Sequence, residues 1–138
     1  MRRAELCLIS LQKQERSLLV ETLPHIFDGT AVYEKQPEES PTPYAGMITK
    51  QMGLINFGKS AEELERLVRG LNPWPSAFTF WNGKTLKVWE SFVVKSEEAG
   101  AEKSEPGTVV KTDKKGIYVA CGEDVLVLSQ VQLRRKKE

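Results

Sequence analysis

Arg69-Gly70-Leu71-Asn72-Pro73-Trp74-Pro75-Ser76-Ala77 is the stretch on which the fold turns. Gly70 closes a helical pattern, and two prolines then hold the backbone at fixed φ around Trp74, which makes a rigid corner. Upstream, Ser60 and Glu63 form an S-x-x-E capping box that opens a helix at Ala61. Leu64, Leu67, Val68 and Leu71 recur at three- and four-residue spacing and form its buried stripe. Downstream the period becomes two. Phe78–Trp81 and Thr85–Val94 read as strands joined by Asn82-Gly83, a strong two-residue hairpin signal.

The rest of the C-terminal half continues as strands with tight turns. Ser96–Pro106 is charged and poor in apolar residues, so it reads as a surface loop. Pro106-Gly107 leads into Thr108–Thr112, Asp113-Lys114-Lys115-Gly116 turns into Ile117–Cys121, and Gly122-Glu123-Asp124 leads to Val125–Leu133. The expected fold class is α+β, mainly β. Five strands form a small open barrel like an oligonucleotide-binding (OB) fold, with one capping helix. Its expected core is Leu64, Leu67, Leu86, Val88, Val109, Ile117, Val119 and Leu126. Trp74 is expected to plug the barrel end, and at most one of Trp74, Trp81 and Trp89 to be exposed.

Toward the N-terminus, residues 3–27 read as helix, with Leu19, Val20, Leu23, Ile26 and Phe27 as an apolar stripe. Pro24 is a break or kink, and Asp28-Gly29 a closing signal. Pro37, Pro41 and Pro43 stand among Glu, Ser and Thr in residues 30–46, an extended linker composition. The expected organisation is an N-terminal helix over 1–29, a proline-rich linker over 30–52, and the barrel over 53–138.

Composition narrows the function classes. The 138 residues are 40% apolar and 28% charged, with a net charge of +1, as for one soluble domain with a linker or extra helix. The small net charge conceals segments: residues 1–58 carry −1, 59–95 carry +2, 96–107 carry −3 and 108–138 carry +3. Cys7 and Cys121 are far apart and lack metal-ligand spacing, which points to free thiols in a reducing compartment. No run is long enough to span a membrane, and the short apolar run Leu6–Leu11 lacks a cleavage site. The expected location is cytoplasmic.

Nothing in the pattern supports catalysis. The single histidine, His25, falls in the N-terminal helix without partners and reads as a surface residue. No glycine-rich phosphate loop, Cys/His pairing or clustered metal carboxylates occur. The basic residues are the better candidates. Arg66 and Arg69 end the helix, Lys84 and Lys87 flank the hairpin, and Lys111, Lys114 and Lys115 surround the next turn. They are the candidate contacts to an RNA backbone, the kind of reading that a few cations on a small barrel permit.

The corner, together with Ile55-Asn56-Phe57 and Asn82-Gly83-Lys84-Thr85-Leu86-Lys87-Val88-Trp89, resembles the C-terminal domain of methionyl-tRNA formyltransferase. The resemblance extends over Ser17–Lys137 and is most specific in Ile55–Trp89. Ser17–Pro24 resembles the end of the family's catalytic domain, and Val131-Gln132-Leu133 with Lys136-Lys137 its terminal motif, although Arg135 stands where a glycine is expected. The family's linker carries two lysines after a pair like Tyr44-Ala45. Lys50 matches the second, which the resemblance makes a further candidate contact to tRNA, and Met47 replaces the first.

The resemblance implies a non-catalytic domain that helps hold initiator methionyl-tRNA weakly through a basic face. Formyl transfer from 10-formyltetrahydrofolate would depend on a separate catalytic domain, with no cofactor in this chain. The chain alone is then expected to be inactive, as a piece of the enzyme or the product of a truncated or misread gene start. The alternative is a freestanding OB-like module that binds RNA or protein. The tRNA enzyme is favoured over a sugar-nucleotide formyltransferase or formyltetrahydrofolate dehydrogenase by the corner, by Gly83–Lys87 and by the basic end.

Overall fold

A computed structural model describes residues 4–134; Arg2, Arg3 and the basic run Arg135–Lys137 lie outside the described residues. Two compact units are present, Glu5–Met47 and the chain from Ile48 onward. The first contains helix α1, Ala4–Phe27. Pro24 does not end it: Pro24 lies in the last turn, where its carbonyl still accepts from Asp28 N–H at 2.9 Å. Gly29, at φ +75°, follows as a left-handed stop. None of the described residues of α1 is buried. His25 is exposed, with Nδ1 2.8 Å from the Thr30 hydroxyl.

The second unit is the barrel. A 3-10 turn, Lys50–Gly53, precedes helix α2, Ala61–Gly70. Ser60 caps α2 as its sequence indicates, its Oγ accepting from Glu63 N–H at 3.3 Å. The strands are β1 (Ala77–Trp81), β2 (Lys84–Val94), β3 (Val109–Asp113), β4 (Gly116–Ala120) and β5 (Val125–Leu133). All pair antiparallel in the order β1-β2-β5-β4-β3. The sheet curls into a barrel left open between its edge strands β1 and β3, the OB-like arrangement expected. Asn82 and Gly83 both have positive φ (48° and 71°), the geometry that suits an Asn-Gly hairpin turn.

One core fills the inner face. Leu64 and Val68 of α2 pack with Ala77, Val88, Val119, Cys121, Leu126 and Leu128. Burying a Leu or Val this fully stabilises by about 1.5–3 kcal/mol each. Leu86 and Ile117 are half-buried here, whereas Val109 is 53% exposed. Val109 lies on the edge strand beside the open side of the barrel, so no neighbouring strand covers it.

Ser96–Pro106 is not simply a surface loop. It forms a short helix α3, Ser96–Ala99, and then folds over the outer face of the sheet. There Ala99 and Ala101 pack on Tyr118, Val125 and Val127, with Phe92, Val94 and Val110 around them, in a second core. Two alanines suffice because the sheet supplies the larger side chains. Asp124 fastens this flap: Oδ2 accepts from Lys95 Nζ at 2.7 Å and Oδ1 from Ser96 N–H at 3.3 Å.

The corner also departs from expectation. Leu71, Asn72 and Ser76 are buried, Asn72 Nδ2 donating to Trp89 O at 2.9 Å, while Trp74 at the apex is 61% exposed. The short loop turns its two flanks inward, so the ring between the prolines is left outside. Asn72-Pro73 and Trp74-Pro75 are both cis peptides. Cys7 is exposed and Cys121 buried, both as free thiols, and burial pushes the Cys121 thiol up.

Two outcomes test this architecture. Because no described α1 residue is buried, a chain beginning at Tyr44 should keep a cooperative thermal transition, monitored by circular dichroism; loss of that transition would show that α1 is integral. The Lys95 hydrogen bond and charge, with the Ser96 N–H, hold the Asp124 carboxyl below its ordinary value of 3.8. A depressed pKa contributes stability above the unfolded value that is lost as pH falls through the folded one. Asp124→Ala should therefore lower Tm at neutral pH, and its deficit relative to the parent should shrink as pH drops below the carboxylate range.

Candidate nucleic-acid interface

The eight candidate cations fall into four groups. Two are on α2, where Arg66 pairs with Glu62 at 3.5 Å and Arg69 forks onto Glu65 at 3.1 and 3.4 Å. These are i,i+4 pairs along one helix face, which neutralise the arginines within the helix. Lys50 stands apart, exposed on the 3-10 turn.

Lys87 and Lys111 lie on the outer face. Strand alternation puts Lys87 beside Phe78 and Gln132 and opposite the inner-face residues Leu86 and Val88. Its Nζ sits 5.2 Å from the centroid of Trp89, whose Nε1 donates to Gln132 Oε1 at 3.2 Å. Lys111 pairs with Tyr118, with Nζ 4.4 Å from the ring centroid. Both ammonium groups lean on aromatic faces.

Lys84, Lys114 and Lys115 lie on two hairpin turns at one end of the sheet, and Arg134, which sequence reading did not single out, lies at the same end. The register explains the grouping. Leu86 of β2 pairs with Leu133 of β5, so the β1–β2 turn and the end of β5 meet, and Arg134 N–H donates to Thr85 O at 2.9 Å. Ile117 of β4 pairs with Leu128, so the β3–β4 turn carrying Lys114 and Lys115 points toward the same end of the sheet. Among the described residues, none of these four cations makes an ion pair.

One carboxylate, Asp113, stands beside them, but it is occupied. It accepts from the N–H groups of Lys115 (2.7 Å) and Gly116 (3.3 Å) and from the Tyr118 hydroxyl (2.9 Å). Burial works to raise its pKa, but these donors outweigh it and hold the carboxyl below its ordinary value. Asp113 therefore shapes the turn and stays charged.

The same end opens into an apolar cleft of about 430 Å³ between β1 and β3. Trp81, Leu86, Leu133, Leu128, Ile117 and Val109 line it, with Thr79 and Thr112. Trp81 is 56% exposed, so two of the three tryptophans are exposed where at most one was expected; Trp89 is half-buried. Lys84 pairs directly with Trp81 and so shares its face of the sheet. A signal for this cleft was present in the sequence, in the alternation Thr79–Trp81 and Val131–Leu133 running past the point where α2 can cover it.

Among the described residues, no three of His, Cys, Asp and Glu gather as a metal site. No helix among them is long and apolar enough to cross a membrane.

A family described as formyl transferase, C-terminal domain, matches residues 47–138. The chain belongs to this family. It is 46% identical over 127 residues to the methionyl-tRNA formyltransferase of Agathobacter rectalis, covering 92% of this chain and 39% of that protein. It is 47% identical over 121 residues to that of Lachnospira eligens, covering 87% and 38%. The chain thus spans about two fifths of the length of these relatives, corresponding to their C-terminal portion. In fold it is similar to part of HypX from Aquifex aeolicus, with a TM-score of 0.61 over 86% of this chain and 20% of that one, at 13% identity. HypX solved with tetrahydrofolic acid gives a TM-score of 0.59 at 15% identity.

Because the Trp74 ring is exposed, Trp74→Ala should cost less than about 1 kcal/mol in denaturant unfolding, as for surface positions and unlike a buried aromatic. A loss of about 3–5 kcal/mol would show the ring to be buried in solution.

Proposed function

We propose that this chain is a non-catalytic tRNA-binding domain of a methionyl-tRNA formyltransferase, acting in cytoplasmic translation initiation. The observation that carries the reading is the placement of Lys84, Lys114, Lys115 and Arg134 at one end of a barrel of this family: four cations that have no carboxylate partner among the described residues. Its role is to hold the phosphate backbone of initiator methionyl-tRNA for a catalytic domain. On this reading that domain, with its 10-formyltetrahydrofolate, supplies the chemistry and the choice of tRNA. The α2 arginines contribute little, because Glu62 and Glu65 already neutralise them.

Few phosphate contacts mean weak binding that is steep in salt, with each contact adding roughly 0.7–0.9 to the slope of log K against log salt. Replacing Lys84, Lys114, Lys115 and Arg134 together by Ala should lower affinity for initiator tRNA and flatten the slope by about 3. Arg66→Ala should leave the slope almost unchanged. Fluorescence anisotropy with labelled tRNA across a salt series reads both. Unchanged slope in the quadruple variant would exclude this end of the barrel as the tRNA site.

A further inference from the structure

The cleft between β1 and β3 has a different chemistry from the cations on the turns at that end of the sheet. Its lining side chains are apolar except for Thr79 and Thr112, and its volume of about 430 Å³ is in the range of small-ligand sites. A duplex backbone would touch only the rim and leave the interior in water. Trp81 stands half in solvent at the mouth, with Phe80, 60% exposed, beside it on the same edge strand. Lys84 lies directly across from Trp81 on the same face, and beyond the lining residue Thr112 the β3–β4 turn carries Asp113, held by its own hydrogen bonds, and then Lys114 and Lys115. An aromatic platform between cations is the arrangement that binds an unpaired nucleotide: the base stacks and the flanking phosphates meet the ammonium groups.

We propose that the cleft takes an unpaired base of the bound RNA, stacked on Trp81, with phosphates on either side held by Lys84 and by Lys114–Lys115. This rests on the tRNA-binding reading above and specifies what that site recognises: single-stranded RNA in preference to helix. The charge of the rim decides the occupant. A peptide could set side chains against Leu86, Leu128 and Leu133, but it would need carboxylates placed to match four cations. A polynucleotide carries its charge at every residue. With only Thr79 and Thr112 to meet a base edge, the pocket stacks bases with little sequence preference.

The test uses the whole chain, a single-stranded oligouridine, a blunt RNA duplex of the same length, and initiator tRNA. The parent should bind the single strand more tightly than the duplex at equal salt and quench tryptophan fluorescence. Trp81→Leu should weaken single-strand binding by about 5- to 150-fold, the range of one base–aromatic stack, with the salt slope unchanged. Trp81→Phe should recover most of the affinity. Val109→Glu, at an exposed edge position, should also block the single strand by putting a carboxylate in the cleft. Thermal unfolding of each variant separates lost binding from lost fold.

Normal salt-sensitive tRNA binding with no loss in Trp81→Leu and Val109→Glu would overturn the base pocket and leave the tRNA reading intact. Equal affinity for duplex and single strand would do the same. Absence of any salt-sensitive RNA binding by the parent would sink both. Displacement of fluorescence-quenching RNA only by an acidic peptide with a central leucine, with tighter binding of that peptide than of RNA, would assign the cleft to a protein instead.

Discussion

Strand β5 is buried on both faces over Val125–Leu128, and the rest of the domain is arranged around that constraint. A strand with one wet face needs one cover; this one needs two. Leu126 and Leu128 face inward and are covered by α2 through Leu64 and Val68. Val125 and Val127 face outward and are covered by the flap through Ala99 and Ala101. The two covers meet at the β4–β5 turn, where Glu123 O accepts from Ala61 N–H at the start of α2 and Asp124 holds Lys95 and Ser96 before the flap. Neither cover reaches past Leu128. Beyond it Ser129–Leu133 is exposed, and the barrel opens.

That change along one strand links folding to function. The covered half of β5 holds the core, and the uncovered half, with β1 overhanging it and β3 opposite, forms the cleft. Both hairpin turns lie at the uncovered end, so residues selected for turn geometry there also set its charge. A turn has no i,i+4 neighbour to neutralise a lysine, whereas a helix does. Basic side chains are therefore paired with carboxylates on α2 and, among the described residues, unpaired on the β1–β2 and β3–β4 turns.

Much of this was legible in the sequence. The capping box at Ser60, the Asn-Gly hairpin and the limits of β5 follow from local rules, since each is decided by residues within a few positions of one another. The two-sided burial of β5 was also written there, as the unbroken run Val125-Leu126-Val127-Leu128, which alternation alone does not explain. Ser96–Pro106 misled because its composition is that of a solvated loop. Its few alanines count only once Tyr118, Val125 and Val127 are known to lie beneath them.

The candidate site divided along the same line. By itself the sequence determined which residues are charged, which turns exist, and where helix gives way to strand, because these depend on side-chain chemistry and on backbone preferences over a few residues. Only the tertiary structure decided that Trp74 lies outside and Asn72 inside, that Val109 is an open edge, and that Arg134 lies at the same end of the sheet as Lys84, Lys114 and Lys115. Those outcomes depend on strand register and on which surfaces the covers reach, and register is set by contacts between residues far apart in the chain.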